Sequence, residues 1–244
     1  MDLVAAKKVL KKVEKDYNLI AKEWNLTRST PRPYQIKTTG GIKKGDRVLD
    51  VGCGNAVLYD CLASKSIDYT GLDLSGNLLK LAKKRIPKLG RNQKVKLVKG
   101  NIINLPFEDQ LFDWVLALAV LHHIPSKELQ EQSVKEIYRV LKPKGHGVIS
   151  VWNLYTSYAE NKFKIKEQLK KNPSSWSEKD LLTPWKATPK ITVQRYLYSF
   201  DKEELKKLLQ SVGFKKIKIG YGDANGNFVT DLKKSYNIIA LVQK

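Results

Sequence analysis

The sequence predicts an α/β fold: a mostly parallel central sheet with helices on both of its faces. Three observations carry this. Short apolar runs alternate with segments of helical periodicity from Arg47 onward, a glycine turn (Gly52-Cys53-Gly54) closes the first run, and an acid, Asp73, closes the second. At 244 residues, 42% of them hydrophobic, the chain suits one such domain over residues 1–244. An N-terminal helix over 2–24 precedes it, and a basic insertion or lid over 153–195 interrupts it.

Each element has its own signal. In 2–24, Leu3, Ala6, Val9, Leu10, Val13, Tyr17 and Ile20 recur at helical spacing with lysines between them. Residues 26–41 are rich in Thr, Arg, Pro and Gly and read as loop. Five strands follow, at Arg47–Val51, Tyr69–Asp73, Val95–Lys99, Trp114–Ala119 and Gly147–Trp152, with helices expected over 56–65, 75–88 and 126–141. Lys142-Pro143-Lys144-Gly145 stops the last of these helices. The insertion carries Trp176, Trp185 and three prolines. Asp201 caps a helix over 201–211 that Gly213 ends, and two final strands, Lys215–Tyr221 and Tyr236–Val242, are expected to pair antiparallel.

Composition narrows the function. Lys and Arg total 45 against 24 Asp and Glu, a net charge of +21. Such a field attracts polyanions, nucleic acid first among them, although lysines on solvated helix faces produce the same number. No apolar run approaches the roughly 20 residues of a membrane span, and no secretory signal is evident. The two cysteines, Cys53 and Cys61, have no metal-site or disulfide spacing, so a reducing, cytoplasmic setting and no metal are expected.

The run Val48-Leu49-Asp50-Val51-Gly52-Cys53-Gly54-Asn55 is the strongest local signal. Glycines let the backbone turn tightly and approach a ligand. Asp73 lies where a nucleotide-binding sheet offers a carboxylate to ribose hydroxyls. Two features argue against a dinucleotide. Val57 stands where a third glycine belongs, and Asp50 would repel a pyrophosphate but suits a cation.

These motifs resemble those of class I methyltransferases that use S-adenosylmethionine (SAM). Asp50–Gly54 resembles their first motif, Tyr69–Asp73 the ribose-binding motif, and Lys99-Gly100-Asn101-Ile102 the segment bordering adenine, with Asn101 where Asp is usual. Phe112–His123 resembles the fourth strand and its exit. The resemblance implies a Rossmann-like sheet of seven strands with an antiparallel strand seven. It also implies a cofactor pocket from Tyr17, Arg28, Asp50, Gly52, Gly54, Asp73, Leu74, Asn101, Ile102 and Ala117.

For the acceptor, the Asn/Asp-Pro-Pro-aromatic turn of amino-group methyltransferases is missing: Ala119-Val120-Leu121-His122-His123 stands there. The late cysteine used for pyrimidine C5 is missing too, since none follows Cys61. An acceptor that is already nucleophilic remains, such as a carboxylate, ionised at neutral pH. Tyr17-Asn18-Leu19-Ile20-Ala21, Trp24 and Thr27-Arg28 resemble the entrance of the tRNA wobble-uridine carboxymethyl methyltransferases. That family includes the fungal tRNA methyltransferase nine and the methyltransferase domain of the animal AlkB homologue eight. Thr183-Pro184-Trp185 and Arg195-Tyr196-Leu197-Tyr198-Ser199-Phe200 resemble two later segments of it, with departures at Leu197, Tyr198 and Ser199. The resemblance implies methyl esterification of 5-carboxymethyluridine at position 34 of the tRNA anticodon loop, and a small zinc-binding activator protein as partner.

Arg28 and Arg195 are the candidates to hold the acceptor, since guanidinium forks match carboxylate and phosphate; each could equally be a surface residue or part of a buried ion pair. Tyr17 either orders the cofactor pocket or packs the first helix. His122 is a catalytic candidate beside His123, although this pair often only shapes the pocket. Trp152 either packs in the core or stacks a base. Two other functions fit residues 45–152: methylation of a small quinone, lipid or amine, and a catalytically silent RNA-binding subunit.

Overall fold

The computed structural model describes residues 1–86 and 94–244. The chain opens with α1 (Leu3–Leu19), capped by Asp2, whose side chain accepts the Ala5 N–H at 2.8 Å. It continues through α2 (Ala21–Leu26) and α3 (Pro33–Thr38). Strand β1 (Arg47–Val51), α4 (Tyr59–Leu62), β2 (Asp68–Asp73), α5 (Gly76–Arg85), β3 (Val95–Lys99), β4 (Phe112–Leu118), α6 (Lys127–Val140) and β5 (Leu141–Trp152) form the alternating part. Then come α7 (Ser157–Phe163), α8 (Ile165–Leu169), the hairpin β6 (Asp180–Lys186) and β7 (Thr192–Tyr198), α9 (Lys202–Val212), β8 (Lys216–Gly222), β9 (Phe228–Val229) and β10 (Asn237–Gln243).

The main sheet runs β3-β2-β1-β4-β5-β10-β8-β9. Pairing is parallel from β3 to β5, and β10 lies antiparallel between β5 and β8. Strand alternation splits the core in two. Leu49, Val51, Val115 and Ala117 meet α1, α6 and α9 on one face, while Val48, Leu116 and Leu118 meet Tyr34, Tyr59, Leu62 and Ala82 on the other.

The α/β class, parallel order and antiparallel last strand are as expected, with differences in detail. Among the described residues the sheet has eight strands, because Phe228–Val229 adds a short edge in the 222–237 connection. The first helix is two, broken at Ile20 (φ −93°, ψ 4°). The helix expected over 56–65 shrinks to α4 and a 3-10 turn over 63–65: left-handed backbone at Ala56 (φ 57°) prolongs the glycine turn and delays its start, while left-handed Ser66 (φ 52°) ends it at the expected place. Positions 87–88 of the helix expected over 75–88 lie outside the described residues. Strand β5 starts six residues early, with Leu141 paired to Phe112 and a register shift beyond it. Insertion 153–195 is no bare loop: it holds α7, α8 and most of a two-stranded sheet. No helix among the described residues is long and apolar enough to cross a membrane.

Candidate active site

A cavity of about 870 Å³ opens at the carboxyl ends of β1, β2 and β4, where open α/β sheets place their ligands. Its floor is the turn after β1. The N–H groups of Gly52 and Cys53 both donate to the Leu72 carbonyl, at 2.6 and 3.0 Å, fastening the turn to β2. Gly52 (φ 70°) and Gly54 (φ 57°) are left-handed. A Cβ on Gly52 would collide with Val120, and one on Gly54 would come within 2.9 Å of the Trp24 ring. Only glycine therefore lets the turn, the exit of β4 and the N-terminal arm meet.

Two buried carboxylates face this floor. Asp50 accepts the Tyr69 hydroxyl at 2.7 Å, and burial pushes its pKa up to about 7 against that hydrogen bond. Asp73 accepts the Ser75 N–H at 2.7 Å and the Gly54 N–H at 2.8 Å; burial raises it to about 6. Neither pairs with a cation among the described residues. Each carboxylate keeps lone pairs for a ligand, and two such groups without counter-ions suit a cationic one. The sulfonium and ammonium of SAM, with ribose hydroxyls for Asp73, fit this end of the cavity. Leu74, Ile102 and Asn101 line the adjoining wall. The Asn101 side-chain oxygen accepts its neighbour's N–H, Ile103, at 3.2 Å and has a second lone pair to offer.

The N-terminal arm closes the cavity from above. Asn18 accepts the Ser75 hydroxyl at 2.9 Å and the Asn77 N–H at 3.0 Å. Asn55, fully buried, donates to Asn25 Oδ1 at 2.7 Å and to the Arg28 carbonyl at 2.9 Å. These tethers were not foreseen. Asn55 stands directly after the glycine turn, where a helix is still to begin, and Asn18 stands inside the Tyr17–Ala21 segment without a local pattern that points to a tether.

The cavity also carries arginines. Arg195 projects from β7, is 3% exposed, and sits 5.3 Å above the Trp152 ring. Its Nε has no hydrogen-bond partner, and no carboxylate pairs with it among the described residues. Arg28 lies at the rim, 5.1 Å over Trp24, with Nη1 donating to Thr27 Oγ1 at 2.6 Å. Burial, then the neighbouring Arg32, pulls its pKa below the ordinary arginine value. Trp152 is half-buried at the wall, in ring contact with His122 and Phe163.

Of the histidine pair, His123 reaches the wall and His122 does not. His122 is fully buried behind Trp152, with Nδ1 accepting the Trp152 N–H at 3.2 Å, so its neighbour, and not His122, faces the cavity. Ala117 is likewise displaced from the pocket. It points into the core with Leu49 and Val115, and Leu118, Ala119 and Val120 form the wall instead. Ala119 is left-handed (φ 60°) and is held there by its N–H donating to the Ser150 carbonyl (3.0 Å) and hydroxyl (3.1 Å). Tyr17 belongs to both its expected roles: it lines the cavity and docks α1 through His123.

Comparison with known proteins agrees with this geometry. Residues 49–149 match the family described as "Methyltransferase domain". The tRNA (carboxymethyluridine(34)-5-O)-methyltransferase of Xenopus tropicalis is 28% identical over 200 residues, 72% of this chain and 30% of that protein. The chain thus spans under a third of that relative. The demethylmenaquinone methyltransferase of Staphylococcus haemolyticus is 31% identical over 195 residues, 73% of this chain and 72% of that protein. Among solved structures, a SAM-dependent methyltransferase of Methanosarcina mazei superposes with a TM-score of 0.67 at 23% identity, over 85% of this chain and 96% of that one. The 1,6-didemethyltoxoflavin-N1-methyltransferase of Burkholderia thailandensis, solved with S-adenosylhomocysteine, gives 0.65 at 17%, over 100% and 91%. With its glycine turn, its two unpaired acids and these relatives, the chain belongs to the class I SAM-dependent methyltransferases.

Proposed function

We propose that this enzyme is a tRNA methyltransferase that esterifies the carboxylate of a 5-carboxymethyl group on uridine at wobble position 34. Arg195 carries this reading: a buried guanidinium without a carboxylate partner among the described residues, on the wall of the cavity that also holds the two acids. A buried cation is stable in company with an anion, and an acceptor carboxylate would supply it. Arg28 and Arg32 at the rim extend the basic side toward phosphates. The net charge of +21 and the similarity to the Xenopus tropicalis enzyme point the same way.

SAM supplies a methyl group on a sulfonium. The chain's own residues orient and dry the site. Asp50 and Asp73 balance the cation, Arg195 aligns the attacking oxygen, and the N-terminal arm excludes water. A carboxylate has no proton to lose, so no general base is needed. The resemblance of the N- and C-terminal segments further implies a small zinc-binding activator protein as partner, and the two cysteines without disulfide spacing favour a reducing, cytoplasmic setting.

A second reading, methylation of a small quinone, has the Staphylococcus haemolyticus relative in its favour. The two separate in one assay. Labelled SAM is offered with an anticodon stem-loop bearing 5-carboxymethyluridine, and separately with a demethylated quinone. The RNA reading predicts label in the stem-loop that mild alkali releases, as from an ester. Alkali-stable label in the quinone and none in the RNA would replace it with the second reading.

A further inference from the structure

Three large aromatic side chains remain exposed where the insertion meets the cavity mouth: Tyr155, Tyr158 and Tyr236, at 46%, 57% and 53%. Their neighbour Phe163 is buried against Leu154, Leu181 and Leu197, so the insertion has a core of its own from which these rings are left out. Tyr158 and Tyr236 line the cavity, their ring centroids 6.1 Å apart with planes inclined at 57°.

Both rings stand on fixed backbone. Tyr158 lies in the first turn of α7, capped by Thr156 Oγ1, which accepts the Ala159 N–H at 3.1 Å. The Tyr236 N–H donates to the Gly222 carbonyl at 2.8 Å, and its carbonyl accepts the Asn153 N–H at 3.0 Å. The surroundings are cationic. Lys162 Nζ lies 5.2 Å from the Tyr158 ring centroid and 2.9 Å from its hydroxyl, and Arg32 and Lys186 line the same mouth. None of these three pairs with an acid among the described residues.

We infer that Tyr158 and Tyr236 form a stacking platform for an unpaired base beside the target nucleotide of an RNA loop, with Lys162, Lys186 and Arg32 holding the flanking phosphates. This rests on the RNA reading above. Rigid aromatic faces among unpaired cations match single-stranded nucleic acid, whose bases present flat π surfaces at a charged backbone. A duplex hides those faces, so the platform favours loops over helices.

The test compares binding of an anticodon stem-loop with a fully paired RNA of the same length. Tyr158→Ala and Tyr236→Ala are expected to weaken loop binding by about tenfold each. Binding of the duplex and of SAM is expected to stay unchanged, and Tyr158→Phe and Tyr236→Phe to keep wild-type affinity for the loop. If both alanine variants bind the loop as the wild type does, the platform is overturned while the RNA reading stands. Equal weakening for loop and duplex overturns it too, since stacking would not be what was lost. A wild-type protein that binds neither RNA overturns both.

Discussion

The Tyr17 hydroxyl lies 2.9 Å from His123 Nε2, and on the other side of that ring Nδ1 lies 2.9 Å from the Tyr196 carbonyl. A carbonyl only accepts, so Nδ1 carries the proton and Nε2 takes the tyrosine's. His123 is thereby held neutral, with burial pulling its pKa down to about 4. Through it α1 is joined to β7, so the cofactor lid and the strand that carries Arg195 share one hydrogen-bonded chain.

The unfolded protein protonates this histidine near 6.5 and the folded protein only near 4. Its contribution to stability is therefore complete above pH 6.5 and is lost as pH falls toward 4. His123→Asn keeps a donor for Tyr196 and does not titrate. The stability of wild type relative to this variant, from urea unfolding, is expected to drop by roughly 3 kcal/mol between pH 7 and pH 4. A difference independent of pH would refute the assignment of the neutral ring.

Asp50 and Asp73 shift the other way. With pKa values raised to about 7 and about 6, both take up protons in the free enzyme as pH falls below these values, and a cationic ligand would displace them. SAM affinity is expected to rise with pH from 5 to 8 and to level off above. In Asp50→Asn the affinity is expected to be lower and its rise confined to lower pH, where Asp73 titrates. Calorimetry at several pH values checks both, and an affinity that falls with pH would contradict the placement of the sulfonium and ammonium.

Asn55→Ala removes two hydrogen bonds that hold Asn25 and Arg28 over the glycine turn. A cost of about 1–3 kcal/mol is expected. It should be seen as faster amide exchange in α2 and a shorter residence time of SAM, and unchanged exchange there would show that the arm is held by other contacts.

Much of this arrangement was legible in the sequence. Asp50, Gly52, Gly54 and Asp73 were identified because a strand that ends in a glycine turn or an acid leaves a local mark. The Arg28 and Arg195 candidates came from resemblance, and the fold brings both to one cavity. What escaped depended on contacts distant in sequence. Which histidine faces the cavity follows from Ala119 adopting φ 60°, a turn that no local pattern announces. The hairpin β6–β7 was hidden because Pro184 sits inside β6 and the buried run from Arg195 to Tyr198 breaks the alternation of β7. Asn18 and Asn55 act across 59 and 30 residues, beyond any periodicity.

A buried cation without a counter-ion destabilises the empty enzyme. Arg195→Met keeps the apolar bulk over Trp152 and removes the charge. It is expected to raise the stability of the ligand-free protein by about 0.5–2 kcal/mol. Thermal unfolding checks this, and a loss of stability would mark Arg195 as a structural residue.

The most direct test of the central claim is the initial rate at which Arg195→Ala transfers methyl to a stem-loop bearing 5-carboxymethyluridine, with SAM affinity measured alongside. The account predicts a rate lower by about 100-fold or more, SAM binding within about twofold of wild type, and no transfer by the wild type to a loop with unmodified uridine. An undiminished rate in Arg195→Ala, or equal methylation of the unmodified loop, would contradict it.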